Sequence, residues 1–513
     1  MDLYWSICNQ LDFSVYWTQY RRKETLVSSR YTIPSYWTRL VDALHSQEAK
    51  PSYLMRLTVL FLLIAQTSFC QSPYGDWYAI LKAANLPLVF HIKKDGKRDQ
   101  ITVDSPKQAA FDMPAQISIS KNNSLQVEMP KLGVTYTATY YPDSIIGWFQ
   151  QGVIMEKMTF FREPQEQKEL SRPQEPKEPF AYYIEEVRFL NQIDNVRLAG
   201  TFTYPKTKDK FPAVVLVSGS GPQDRNEEIA GHKPFFVIAD YLSSLGYGVL
   251  RYDDRGTYKS EGDFSSATTY DLANDAQAAV QFLINDERVR PDQVVVMGHS
   301  EGGMIANILG ARMPELSGIV SLAGTAIRGD SILKIQTRLI ALSKGEEGRE
   351  LELSNAYNDA IWDAAVASKN IKDFEIELAS VSKVFMKKFR KEKFIKKKEQ
   401  GEIIEAVKAT VLNPWMYEFI RYSPSNHIKK IKSNVLVLIG SKDIQVTSKE
   451  NIQGYKNLLP KNRKLQTIKE LKGFNHLFQK CTICDINEYG QLEETFSMDA
   501  LEEIRDFLEI IWK

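Results

Sequence analysis

Val294-Val295-Val296-Met297-Gly298-His299-Ser300-Glu301-Gly302-Gly303-Met304-Ile305-Ala306 decides the fold. Its four leading apolar residues read as a strand buried on both faces, and the run from Gly303 to Arg312 reads as a helix. Between them, Gly298-His299-Ser300-Glu301-Gly302 fits the Gly-x-Ser-x-Gly pattern, which sets a serine on a sharp strand-to-helix turn, clear of the sheet. With 27 glycines in the chain the bare pattern arises easily by chance, so the strand before it and the helix after it carry the weight.

A serine hydroxyl needs a base, and the chain has 6 histidines. His45 lies far upstream, His91 in a β-rich segment, His232 ahead of the expected sites, His299 in the turn itself, and His427 before the strand at Asn434. His476 is left, in Gly473-Phe474-Asn475-His476-Leu477-Phe478, on a loop after the expected last strand, Leu465 to Leu471. Asp443 falls between serine and histidine, just beyond the strand Asn434 to Ile439, where open α/β sheets build their sites. The loop Val217-Ser218-Gly219-Ser220-Gly221-Pro222 follows another strand. The backbone amides of Ser220 and Glu301 are the expected oxyanion donors. That loop has neither Gly-x-Gly-x-x-Gly nor a following Lys-Ser/Thr, so nucleotide binding is disfavoured.

Outward from this centre, short Val/Ile/Leu runs at 212–217, 246–251, 319–322 and 434–439 alternate with helical stretches, the pattern of a mostly parallel sheet. Residues 329–422 break the alternation with helical, charge-rich sequence and read as an inserted helical cap. Trp415, Tyr417 and Phe419 near its end are expected either to wall an apolar acyl pocket or to serve as plain core. Tyr252-Asp253-Asp254-Arg255-Gly256 reads as a buried, ion-paired structural turn.

Residues 71–163 change period. Leu88, Phe90 and Ile92 alternate with polar neighbours, and Asp95-Gly96 turns the chain into the next strand, which together with later short runs gives a small antiparallel β-domain, barrel-like or sandwich-like. Residues 164–181 are polar and repeatedly broken by proline, a linker. The main unit is then 182–513. At 513 residues with 43% hydrophobic content, the chain is long enough for several packed cores. Its net charge of +1 gives no field to attract a polyanion, so nucleic acid is not an expected partner.

The apolar run Leu57 to Ala65 is shorter than the roughly 20 residues of a spanning helix, so no stable membrane span is expected. With Arg56 before it and small residues after it, 55–70 reads as a secretory signal and 1–54 as an upstream extension not carried by the mature protein. An exported, periplasmic or extracellular bacterial protein is the expectation. Cys481 and Cys484 are then the remaining pair, either bridged as a local staple or free. No metal or organic cofactor is implied.

Residues from about Tyr182 to Lys513 resemble the α/β-hydrolase superfamily, and more narrowly exported bacterial esterases and serine-aminopeptidase-like hydrolases. The carrying segments are Ser218-Gly219-Ser220-Gly221-Pro222-Gln223-Asp224-Arg225-Asn226, Arg251-Tyr252-Asp253-Asp254-Arg255-Gly256, Gly298-His299-Ser300-Glu301-Gly302-Gly303 and Asn475-His476-Leu477-Phe478. The segment from Gly75 to Glu163 resembles the small β-domain ahead of such hydrolases. The resemblance implies an α/β-hydrolase fold, mostly parallel with a helical cap, and Ser300, Asp443 and His476 as its triad. Ser218 stands where many members have His. The expected substrate is a small-molecule ester or a short peptide, and the expected chemistry is ester hydrolysis through an acyl-enzyme. A peptidase or amidase with the same triad, or a binding protein on an inert scaffold, are the alternatives.

Overall fold

Alternation of apolar and polar residues builds the first unit. In the computed structural model, β1 (Gly75–Leu81), β2 (Leu86–Asp95), β3 (Arg98–Ser105), β4 (Ala110–Ile119), β5 (Ser124–Met129), β6 (Val134–Tyr140), β7 (Ser144–Gln151) and β8 (Ile154–Phe161) form a closed antiparallel barrel, β1 meeting β8 at Tyr78 and Phe161. The structure describes residues 72–513 apart from 82–85, 97, 107–109, 121, 130–133, 152–153, 166–170, 208, 398–399 and 462–463. The expected extension at 1–54 and signal at 55–70 lie outside the described residues. Inward positions of the barrel are Trp77, Phe90, Tyr136 and Phe160, all buried, with Phe90 and Phe160 stacked at 4.0 Å. The Arg162 guanidinium lies 3.5 Å from the Trp77 ring centre. On the outer face, His91 sits between the carboxylates of Asp76 (2.7 Å) and Asp104 (3.0 Å).

The proline-rich stretch is less free than a linker of its composition suggests. Arg172 donates to the carbonyls of Gly231, Gly490 and Leu492, and Gln174 bonds the backbone of Thr495 and Phe496. Polar side chains dock its middle, and Phe180 at its end packs against Tyr182 and Phe236.

The second unit is an eight-stranded sheet in the order β16-β15-β14-β13-β11-β12-β10-β9. Its members are β9 (Tyr182–Asn191), β10 (Val196–Pro205), β11 (Phe211–Val217), β12 (Gly248–Tyr252), β13 (Val289–His299), β14 (Gly318–Leu322), β15 (Asn434–Gly440) and β16 (Gln466–Leu471). β11 to β16 are parallel; β9 and β10 form an antiparallel edge hairpin that the sequence reading did not separate. Both faces are covered, as the continuous apolar runs require. Val215, Val217, Val294 and Val296 pack toward α2 (Thr269–Asn285) and α3 (Glu301–Arg312), whereas Val214, Leu216, Val295 and Met297 pack toward α1 (Pro234–Ser244) and α10 (Met498–Trp512). The α/β-hydrolase expectation, with its preceding β-domain, is thus met in the topology itself.

Between β14 and β15 the chain leaves the sheet for α4 (Gly329–Ser343), α5 (Gly348–Ala367), α6 (Ile371–Lys391), α7 (Gln400–Val411) and α8 (Pro414–Arg421), which enclose a separate apolar core around Tyr357, Trp362 and Phe374. α8 starts where its sequence says it should: Asn413 caps the Met416 amide at 2.8 Å and Pro414 takes the first turn. The last sheet connection is α9 (Ser448–Leu458). No helix among the described residues is long and apolar enough to cross a membrane.

Close backbone approach fixes the junction of β13 and α3. A Cβ on Gly302 would lie 2.0 Å from the Val217 carbonyl oxygen and 2.7 Å from that of Ser218, whereas one on Gly401 in α7 meets nothing within 4 Å. Gly302→Ala should therefore lower stability by about 1–3 kcal/mol in urea denaturation, while Gly401→Ala should be neutral or stabilising by up to about 1 kcal/mol. Equal stability of Gly302→Ala and the parent would contradict the close approach.

Candidate active site

The turn after β13 places Ser300 at φ 52°, ψ −114°, a left-handed conformation that a non-glycine residue adopts only when its surroundings impose it. They do so here through missing side chains. A Cβ on Gly298 would lie 1.9 Å from the Gly302 oxygen, so the two glycines let strand and helix close around the serine. The Ser300 amide is tied to the Leu322 carbonyl at 2.8 Å.

His476 and Asp443 meet by a similar device. A Cβ on Gly440, at the end of β15, would lie 2.3 Å from the Phe474 carbonyl oxygen, so only glycine lets the histidine loop fold over that strand end. Asn475 then stiffens the loop, its Oδ1 accepting from the Leu477 and Gln479 amides. Asp443 Oδ1 accepts from the amides of Gln445 and Val446, both at 2.8 Å, and Oδ2 faces His476 Nδ1 at 2.7 Å. Because that carboxylate can only accept, Nδ1 carries the proton and Nε2 is the basic atom. Ser300 and His476 line the same cleft, but the serine hydroxyl is not closed onto the imidazole at hydrogen-bond distance.

Ser300 stands between two clefts that share Ser220, Ser300 and Gln445. One, of about 410 Å³, is bounded by His476, Leu477, Ile229 and Tyr489. The other, of about 430 Å³, runs under the cap and is bounded by Trp415, Phe419, Met304, Ile332 and Glu301. Trp415 and Phe419 are one helical turn apart on α8 and stack at 5.2 Å, so they share its cleft-facing side. Tyr417 is a correction to the expected pocket. Two positions from either neighbour, it points away, its hydroxyl donating to the Ser368 carbonyl and its ring packing on Phe374 inside the cap.

The loop after β11 is held from below. Ser218 Oγ donates to Asp254 Oδ1 (2.9 Å), and the Gln223 amide donates to Asp254 Oδ2 (2.9 Å). Burial drives the Asp254 pKa well above the ordinary carboxylate range, and Asp275 and Glu301 nearby push it further, against the lowering effect of those two donors. The rest of that turn is ion-paired as expected: Arg225 grips Asp253 and Arg255 grips Asp275. The Gly219 amide is spent on Glu227 Oε1 (2.7 Å). Among the described residues neither the Ser220 nor the Glu301 amide is spent in this way.

Glu227 was not singled out in the sequence. It is buried at φ 50° and accepts from His299 Nδ1 at 2.9 Å, while His299 Nε2 lies 3.0 Å from the His476 carbonyl oxygen. Both ring nitrogens of His299 therefore face oxygens, an arrangement that an imidazolium satisfies by donating from each. Burial alone would lower its pKa, but the Glu227 carboxylate and the His476 carbonyl outweigh it and raise the value. Nothing in the polar run Gln223 to Glu228 marks which acid turns inward; a left-handed backbone at Glu227 is invisible in composition. His232, by contrast, is a structural residue between Thr495 and the Tyr489 carbonyl, held near pKa 4 by burial.

Cys481 and Cys484 form a disulfide. With Glu488 they make the one group of metal-ligating type found among the described residues, but both sulfurs are bonded to each other and the Glu488 carboxylate accepts from the amides of Thr482, Ile483 and Cys484.

The sequence pattern of the family described as X-Pro dipeptidyl-peptidase (S15 family) matches residues 194–474, more than half of the chain. A curated relative, Esterase EstD of Thermotoga maritima, is 30% identical over 254 residues, 49% of this chain and 52% of its own length, so the chain spans about half the length of that relative. Among solved structures, the α/β hydrolase GrgF from Penicillium sp. sh18 aligns at 16% identity and TM-score 0.39 over 64% of this chain and 98% of its own. Acetyl xylan esterase 1 from Thermoanaerobacterium sp. JW/SL YS485 aligns at 16% and 0.36 over 66% and 87%.

The buried Glu227–His299 pair gives a pH test. With its folded pKa raised, His299 contributes stability that is fully present below its unfolded value of about 6.5 and is lost as pH rises through the folded value. Glu227→Gln should cost on the order of 3 kcal/mol at pH 6 in urea denaturation. The gap to the parent should narrow as pH rises, because the parent then holds a buried carboxylate without its cation. A gap that stays constant or widens would contradict the paired imidazolium.

Proposed function

The chain belongs to the X-Pro dipeptidyl-peptidase (S15) family, and on that premise we propose that it is a serine hydrolase cleaving carboxylic esters through an acyl-enzyme. The observation that carries this reading is the Asp443–His476 pair at 2.7 Å, opening onto the same cleft as a serine held in a strained strand-to-helix turn. His476 Nε2 takes the Ser300 proton as Oγ attacks the carbonyl carbon, and Asp443 keeps the imidazole in the required tautomer and stabilises its charged form. The tetrahedral oxyanion is held by the Ser220 and Glu301 amides. His476 then protonates the departing alkoxide, which assigns the leaving group to its own cleft and the acyl group to the cleft under Trp415 and Phe419. Water repeats the sequence and frees the acid.

The family description names a peptidase, and the EstD name an esterase. The acyl-side cleft favours the ester. Among the described residues its only carboxyl is Glu301, and burial shifts that group toward the uncharged form, against the donors Thr269 and Trp415 and the nearby Ser220 hydroxyl, which makes it a poor receptor for a peptide's terminal ammonium. An oxidising exported compartment is the proposed place of action, supported by the Cys481–Cys484 disulfide.

The test is turnover of a phenyl-ester series beside dipeptidyl and aminoacyl p-nitroanilides. Ester hydrolysis should appear and fall by about 10⁶ in kcat for Ser300→Ala and by about 10⁴ for Asp443→Asn. Anilide turnover without ester turnover would move the assignment to a peptidase. No Ser300-dependent turnover of either would sink the hydrolase reading and leave a binding protein on this scaffold.

A further inference from the structure

Glu301 does more than lend an amide. The residue is 2% exposed and lines the acyl-side cleft together with Ser300. Oε1 is fully engaged, accepting from Thr269 Oγ1 (2.5 Å) and Trp415 Nε1 (2.8 Å), so α2 and the cap helix α8 fix the carboxyl in place from two sides. Oε2 has no hydrogen-bond partner, although it is buried. The Ser220 hydroxyl eases the charged form without closing a bond to it. A buried, rigidly held carboxyl oxygen with nothing to bond is costly unless something brought into the cleft completes it.

The rest of the lining combines apolar Met304, Ile332, Trp415, Phe419 and Val446 with polar Thr325, Gln336 and Gln445, which are bonded to Asn451, to each other and to Tyr489. A ligand suited to this cleft sets a short carbon chain against the five apolar side chains and a polar group at Glu301, whose Oε2 is left without a partner. A hydroxyl meets that need whichever way the proton is shared, since it donates to a carboxylate and accepts from a carboxylic acid. An ammonium demands the charged carboxylate, which burial disfavours. Resting on the ester-hydrolase reading, we propose that the acyl-side cleft selects short hydroxyacyl groups, with Glu301 Oε2 bonding the acyl hydroxyl while Trp415 and Phe419 pack its carbon chain.

A site built to bond a hydroxyl discriminates strongly against the analogue lacking it, because the analogue leaves the polar group buried and unpaired. The experiment compares kcat/KM for shape-matched phenyl esters: glycolyl with propionyl, lactyl with isobutyryl, and 3-hydroxybutyryl with 3-methylbutyryl. Each is divided by its rate of hydroxide-catalysed hydrolysis to remove intrinsic reactivity, and glycyl and alanyl esters complete the series. At least one hydroxyacyl member should exceed its alkyl partner by about 100-fold or more. In Glu301→Leu the same ratio should fall toward one whatever happens to the absolute rates, and Glu301→Gln, which keeps a hydrogen-bonding oxygen, should retain part of it. The wild-type ratios stand alone if a variant does not fold.

Ser300-dependent turnover with no hydroxyacyl preference in any pair would overturn this inference and leave the esterase standing. Aminoacyl esters outrunning hydroxyacyl esters would overturn it in favour of an ammonium site. A hydroxyacyl ratio unchanged in Glu301→Leu would overturn the role of Glu301. Absence of any Ser300-dependent ester turnover would overturn the esterase reading and this inference together.

Discussion

The close approach of α3 to the end of β11 is the constraint on which the hydrolase unit depends. Gly302 lies so near the Val217 carbonyl that no side chain fits, and Gly298 in turn lies against Gly302. Between them the backbone of Ser300 has no relaxed conformation left and is held at φ 52°. That strain lifts the hydroxyl out of the sheet. The same proximity brings Glu301 and the β11 loop beside the serine, so the groups proposed as nucleophile and oxyanion donors are set by a single packing contact. A second close approach, Gly440 under Phe474, joins Asp443 to His476. The site is assembled from backbone contacts before any side chain is chosen.

Buried carboxyls then divide the labour by their surroundings. Asp443 is satisfied by two amides and an imidazole and orients His476. Glu227 faces the buried imidazole of His299, which reaches the carbonyl of that same His476 and so links the β11 loop to the histidine loop. Asp254 is driven toward neutrality by burial and locks the Ser218 and Gln223 ends of the loop. Glu301, engaged on one oxygen only, lines the cleft under the cap. One chemical group thus performs four tasks, set by what each is bonded to.

The sheet strands were legible because doubly buried parallel strands are written as unbroken Val/Ile/Leu runs, and the barrel because Leu88, Phe90 and Ile92 alternate strictly. That Ser300, Asp443 and His476 come together was legible because each follows the end of a sheet strand. What failed was local orientation. The edge hairpin β9–β10 was not separated, since Tyr182 to Asn191 mixes charges into its exposed face. Tyr417 was grouped with Trp415 and Phe419 by proximity in sequence, yet helical geometry turns it into the cap core. Glu227 and the Glu301 side chain carried no signal, because an acid buried by a left-handed turn or by a cap helix arriving 114 positions later has no local signature. Docking of the proline-rich stretch through Arg172 and Gln174 was hidden for the same reason.

The central claim is that Ser300 is a nucleophile activated by His476. Treating the full chain with a fluorophosphonate ester and mapping the adduct by peptide mass spectrometry tests it most directly. The account predicts one phosphonyl group on Ser300, formed far more slowly in His476→Ala. An adduct on another residue, or labelling of Ser300 at the same rate without His476, would contradict it.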